Sequence, residues 1–102
     1  MQKHFEAFPK SDANYVPLSP LSFITRTADL FPYRTAIIYG DRRYSWAESY
    51  DRVRQLASAL DGAGLGLGDT VSVIAANTPE MFEAHYGVPM AGCVLNTINT
   101  RL

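Results

Sequence analysis

Apolar positions recur along this chain in two rhythms, one of three to four residues and one of two. Leu21, Ile24, Ala28 and Phe31 follow the first, the period of a helix with one apolar face. Ser19 can cap that helix, Pro20 suits its first position, where a missing N–H costs nothing, and Pro32 ends it. Residues 36–39 and 42–45 are short β-rich runs flanking Gly40 and Asp41, which predicts a hairpin with a two-residue turn. In that register Ile38 faces Arg43 and Ile37 faces Tyr44, so one side is greasier than the other, as in an edge hairpin with one wet face. A second helix starts at Ser45, which forms a capping box with Glu48. Trp46, Tyr50, Val53, Ala57, Leu60 and Ala63 mark its apolar stripe, expected to lie on the sheet, with Leu56 widening it and Arg52, Arg54 and Gln55 off it. Gly62 and Gly64 are candidates for a left-handed helix stop.

Residues 70–76 are almost continuously apolar and β-branched, the pattern of a parallel strand covered on both faces. Asn77 or Thr78 then caps a third helix, with Pro79 at its first position and Glu80 and Glu83 favouring its first turns. Its larger contacts are Met81, Phe82, His85, Tyr86 and Val88. Pro89 removes the bond to the carbonyl of residue 85, so the helix has to kink or end nearby. Gly87 and Gly92 flank it and would allow close packing on a neighbouring sheet. Val94–Ile98 forms a last strand. The order is helix, hairpin, helix, strand, helix, strand: an α/β fold with a βαβαβ-type core and right-handed crossovers. Residues 1–19 show no period and are expected to be an extended arm, with residues 20–102 one α/β segment.

A chain of 102 residues holds one domain at most. Nine basic and ten acidic side chains give a formal net charge of -1, which argues against a nucleic-acid surface. The single cysteine, Cys93, excludes an internal disulfide framework and a cysteine zinc site, and among Ala91 and Val94 it is expected to be a buried packing residue. The first fifteen residues hold no apolar leader core and no stretch approaches the ~18 apolar residues of a membrane span, so the expectation is a soluble cytoplasmic protein. Gly64, Gly66 and Gly68 follow a helix and precede a strand, the reverse of a phosphate loop, and are read as a helix stop and turn. His85 reads as an interior histidine, with a ligand contact as the sharper alternative. Trp46 reads as a core residue, and Arg42 and Arg43 as a solvated hairpin tip. No Ser-His-Asp grouping and no metal-ligand spacing stands out.

Five motifs then follow in order. They are Tyr44-Ser45-Trp46 with Glu48, Gly64-Leu65 with Gly68-Asp69 and Val71, Asn77 with Pro79-Glu80, Gly92 with Asn96, and Asn99 with Arg101-Leu102. As a series they resemble the N-terminal region of the AMP-binding, acyl-adenylate-forming enzymes, and most of all their acyl-CoA synthetase branch, over residues 17–102. The resemblance implies the N-terminal subdomain of that fold, truncated at its C-terminal end. It implies an enzyme that activates a carboxylic (fatty) acid with ATP to an acyl-adenylate, releases pyrophosphate and passes the acyl group to coenzyme A. The phosphate loop, the magnesium–ATP site and the mobile C-terminal domain of the family lie downstream of these motifs. The segment alone is therefore expected to bind no cofactor and to be inactive, with ATP, magnesium and coenzyme A belonging to the full-length parent. No catalytic residue and no metal ligand is assigned in the segment. Arg101 matches an arginine that in some synthetases lies near a phosphate of coenzyme A. The family's common Leu-Asn-Pro stands here as Leu95-Asn96-Thr97.

From the residues alone a second class stays open: a small α/β binding or scaffold module without chemistry. For the enzyme, the partner would be the remainder of its own chain. The segment by itself is expected to self-associate through the part after Pro79, because an unpaired strand edge and an apolar patch would face water.

Overall fold

The computed structural model describes residues 19–100. The extended arm expected before residue 19 lies outside them, as does Arg101. The first helix, α1 (Pro20–Leu30), starts where its signals placed it: the Ser19 hydroxyl accepts the Leu21 N–H at 3.2 Å and Pro20 opens the first turn. Strands β1 (Thr35–Tyr39) and β2 (Arg42–Ser45) form the hairpin, with Ile37 opposite Tyr44 and Ile38 opposite Arg43. Gly40, at φ 59°, makes the turn. Helix α2 (Trp46–Gly62) carries the full capping box: the Glu48 N–H reaches the Ser45 hydroxyl at 3.1 Å and the Ser45 N–H reaches Glu48 Oε1 at 2.9 Å. The bond from the Ser45 backbone holds the Glu48 carboxyl below the usual carboxylate range.

Strand β3 (Thr70–Ile74), helix α3 (Pro79–Met90) and strand β4 (Val94–Ile98) complete the described residues. Thr78, rather than Asn77, caps α3, its hydroxyl accepting the Met81 N–H at 3.4 Å. β3 and β4 pair in parallel, Thr70 beside Val94 through to Ile74 beside Ile98. The class is α/β. The βαβ unit is confined to β3, α3 and β4, and the hairpin is a separate two-stranded sheet instead of joining a βαβαβ core.

Helices α2 and α3 end in the same way. The Leu65 N–H bonds to the Leu60 carbonyl and the Gly64 N–H to that of Asp61; likewise Cys93 bonds to Val88 and Gly92 to Pro89. Each is a Schellman stop with a glycine in the left-handed region, Gly64 at φ 87° and Gly92 at φ 85°. Gly62 stays helical, so of the two sequence candidates Gly64 takes the role. Gly92 does the same for α3, a function its sequence neighbourhood hid. Pro89 sits one residue before the end of α3, where the helix stops instead of kinking onward.

The packing differs from the sequence expectation in three places. The stripe on α2 faces helices α3 and α1 more than the sheet. Its buried residues are Ser49, Val53 and Ala57, while Trp46 and Tyr50 are half-buried. Gly87 lets α3 approach α2, not a sheet: a Cβ there would lie 2.6 Å from the Leu56 side chain. β3 alternates, with Val71 and Val73 inward and Thr70, Ser72 and Ile74 exposed, so one face of the parallel pair is uncovered. The main core gathers Ala84, Val88 and Cys93 with Leu56, Leu60, Val71 and Leu95 around them. Cys93 is buried as expected.

An ionic cluster joins the hairpin to both helices. Glu83 on α3 is buried, its side chain only 8% exposed, and takes two bonds from Arg52 on α2, with Nη2 at 3.1 Å from Oε1 and Nε on Oε2. The Arg52 guanidinium lies 4.6 Å from the centre of the Tyr44 ring on β2. Arg42 donates to the Tyr44 hydroxyl at 2.7 Å and pairs with Glu80 at 3.0 Å. Arg42 is thus engaged in contacts and is not simply a solvated tip. Its hydrogen bond holds the Glu80 carboxyl below the usual range.

Removing one partner of a buried pair strands the other charge, at a cost on the order of 3 kcal/mol. Arg52→Ala should therefore lower the urea midpoint of unfolding with little change in slope, and Arg52→Lys should recover only part, because an ammonium cannot make the paired fork. Gly87→Val should destabilise by about 1–3 kcal/mol through overpacking against Leu56; equal stability would refute the close α2–α3 approach.

Candidate functional site

Parallel strands leave a crevice beyond their carboxyl ends, where the chain turns away into the covering helix, and ligands of open α/β sheets bind there. Here that crevice is a cleft of about 520 Å³ past β3 and β4, lined by Ala75, Asn77, Met81, His85, Thr97 and Thr100 among others. The turn from β3 into α3 runs over residues 75–78, ends at the capping Thr78 and contains no glycine. Thr78 also donates to the Ala76 carbonyl at 3.3 Å, so the lip of the cleft and the helix cap are one bonded unit. Its polar lining is a histidine ring, two amides and two threonine hydroxyls, which can hydrogen-bond a polar ligand.

His85 is exposed on this wall, not interior. Its Nδ1 lies 2.8 Å from the Met81 carbonyl, one turn back. Burial follows the helix period: Glu83, Ala84, Gly87 and Val88 face α2 and the core, and His85, about 200° round from Glu83, is turned out. Asn77, Met81 and His85 also border a second, apolar groove of about 790 Å³ between β1 and α3, which includes Ile38, Phe82 and Tyr86. The aromatic rings of Phe82 and Tyr86 sit 5.3 Å apart along it. Sequence reasoning treated Met81, Phe82, His85 and Tyr86 as contacts of one helix and Asn77 as a candidate cap. The spacing of Asn77, Met81 and His85 at four-residue intervals was the available sign that they share a face.

Cys93 lies away from this wall, its thiol 3.5 Å from the Gly66 carbonyl in the loop before β3. That loop is a turn closed by Asp69, whose carboxylate accepts the Gly66 N–H at 2.9 Å, in keeping with a helix stop. Among the described residues no three His, Cys, Asp or Glu side chains come together as a metal site. These residues do not fit a magnesium–ATP site: they offer neither a carboxylate cluster nor a glycine loop opening a helix. Arg101, the one residue singled out from the family resemblance, lies outside the described residues; Thr100, which precedes it, lines the cleft. Among the described residues no helix is long and apolar enough to cross a membrane.

Residues 24–102 match the AMP-binding enzyme family. The chain is 50% identical over 100 residues to an acetate–CoA ligase of Humulus lupulus, covering 98% of this chain and 18% of that protein. It is 50% identical over 97 residues to a peroxisomal trans-cinnamate:CoA ligase of Petunia hybrida, covering 95% of this chain and 17% of that one. The chain thus spans under a fifth of the length of these relatives. Among solved structures, the o-succinylbenzoate CoA synthetase of Bacillus subtilis in complex with AMP is 29% identical, with a TM-score of 0.74 over 78% of this chain and 21% of that one. The N-terminal subdomain of Klebsiella oxytoca NpsA shares the fold, with a TM-score of 0.77 at 23% identity over 82% of this chain and 22% of that one. The chain belongs to the AMP-binding enzyme family, with the fold of an N-terminal subdomain of its synthetases.

Proposed function

We propose that this chain is the N-terminal part of an acid–CoA ligase. In this reading the whole enzyme activates a carboxylic acid with ATP to an acyl-adenylate, with loss of pyrophosphate, and transfers the acyl group to coenzyme A. The observation that carries the proposal is identity at half of all positions, over nearly the whole chain, with proteins named as acid–CoA ligases. In this reading ATP and magnesium are assigned to the rest of the enzyme and the segment alone to no turnover. Acetate, benzoate and cinnamate all occur in the names of the relatives, so the acid is proposed as a class, without a preference for fatty acids. The cytoplasm is kept as the proposed compartment. Several relatives are named as peroxisomal, which makes that the alternative for a fluorescent fusion of the whole enzyme to decide.

Arg101 is proposed to meet a phosphate of coenzyme A. Its guanidinium suits a phosphate, and it directly follows Thr100 of the cleft. In the whole enzyme, Arg101→Ala should raise the KM for coenzyme A about tenfold or more while leaving adenylate formation, read by ATP–pyrophosphate exchange, within about twofold. That shift corresponds to about 1.4 kcal/mol of lost binding. An unchanged KM for coenzyme A would remove Arg101 from the site.

The 102-residue segment alone is also proposed to self-associate. Support comes from Ile74 and Val94, 68% and 57% exposed on the uncovered face of the parallel pair. Sedimentation should show dimers or larger species, and Ile74→Lys should shift them toward monomer. A monomer at high concentration would contradict this.

A further inference from the structure

Among the described residues the cleft past β3 and β4 is lined without a carboxylate, a lysine or an arginine, and His85 is its one titratable side chain. The ring of His85 is oriented by its own helix, with Nδ1 2.8 Å from the Met81 carbonyl. A carbonyl oxygen only accepts, so the proton of the neutral ring sits on Nδ1 and Nε2 keeps its lone pair. Nδ1 is turned back along α3, and Nε2, across the ring, leads away from the helix backbone on an exposed side chain. The Glu83–Arg52 pair fixes the rotation of α3, so the ring is presented at a set place on the wall.

An acceptor nitrogen in an uncharged lining selects among ligand groups. A phosphate oxygen brought to Nε2 would set two acceptors together with no proton between them, so this ring does not read a phosphate. An N–H group suits it. Asn77, Thr97 and Thr100 can donate as well as accept, whereas the ring in this tautomer offers the cleft an acceptor alone. We propose that His85 is a binding residue for coenzyme A, its Nε2 accepting a hydrogen bond from an N–H of that molecule: an amide of the pantetheine arm or the adenine amine. The proposal rests on the acid–CoA ligase reading. It is a different contact from the phosphate contact given to Arg101, and it orients coenzyme A without taking part in a bond-making step.

Kinetics of the whole enzyme test this. His85→Phe should raise the KM for coenzyme A about fivefold or more, the worth of one hydrogen bond, with kcat at saturating coenzyme A within about twofold. His85→Gln keeps an acceptor oxygen and should recover most of the loss; His85→Lys, a donor only, should not. Coenzyme A with its adenine amine blocked as the etheno derivative separates the two N–H sources. If His85→Phe raises the KM for this analogue as it does for coenzyme A, the contact is an amide; if it raises the KM for coenzyme A alone, the contact is the adenine amine. An unchanged KM for coenzyme A in His85→Phe, or a wild-type KM in His85→Lys, would overturn the contact and leave the ligase reading standing. A wild-type enzyme that forms no acyl-CoA from any of the acids would overturn both.

Discussion

A carboxylate held away from water needs a cation, and in this chain Glu83 depends on Arg52. That pair bridges α2 and α3 on the side where Gly87 brings the two helices closest. The residues buried around it are small, among them Ser49 and Ala57 on α2 and Ala84 and Gly87 on α3. Small side chains permit the approach, and the guanidinium fork fixes its register. A buried ion pair contributes little net stability over an apolar isostere, because desolvation offsets most of the attraction. Its consequence here is geometrical: α3 cannot rotate about its axis without stranding a charge.

Much of the surface follows from that fixed rotation. With Glu83 turned inward, His85 is turned out onto the wall shared by the cleft and the apolar groove. Tyr44 stacks under Arg52, so the hairpin is located by the same cation, and Arg42 adds a second tie through Glu80. The hairpin has no backbone pairing with the parallel strands, and its position relative to them is set by side chains and by its junction with α2. The Schellman stops at Gly64 and Gly92 then return the chain to β3 and β4 with the same turn geometry.

What the sequence discloses and what it hides divide along the reach of the forces involved. Caps and turns act over three or four residues, and Ser19, the Ser45 and Glu48 box, Gly40 and Gly64 were all legible. Element order was legible too, because the periods are local. Which face of α2 meets which partner was not, since Val53 and Ala57 look alike to a sheet and to a helix. Glu83 was read as a charge favouring the start of α3, because its burial depends on an arginine 31 positions away. The apolar run of residues 70–76 foretold a strand covered on both sides, yet Ile74 is exposed. Among the described residues no element covers that face. The cleft itself was not legible, because its lining comes from two strand ends and one helix face that no local pattern unites, and Arg101, taken from the family resemblance, lies outside the described residues.

The chain belongs to the AMP-binding enzyme family, and the proposal divides the labour of the whole enzyme between this segment and the rest. In the proposed enzyme this segment would supply a scaffold with a hydrogen-bonding cleft, and the proposal assigns the groups that activate the acid to the rest of the chain. The most direct measurement is carboxylate-dependent ATP–pyrophosphate exchange by the purified 102-residue chain, assayed with acetate, benzoate and cinnamate. No exchange above the protein-free background is expected for any acid. Exchange that appears with one of them, and grows with the amount of chain, would contradict that division.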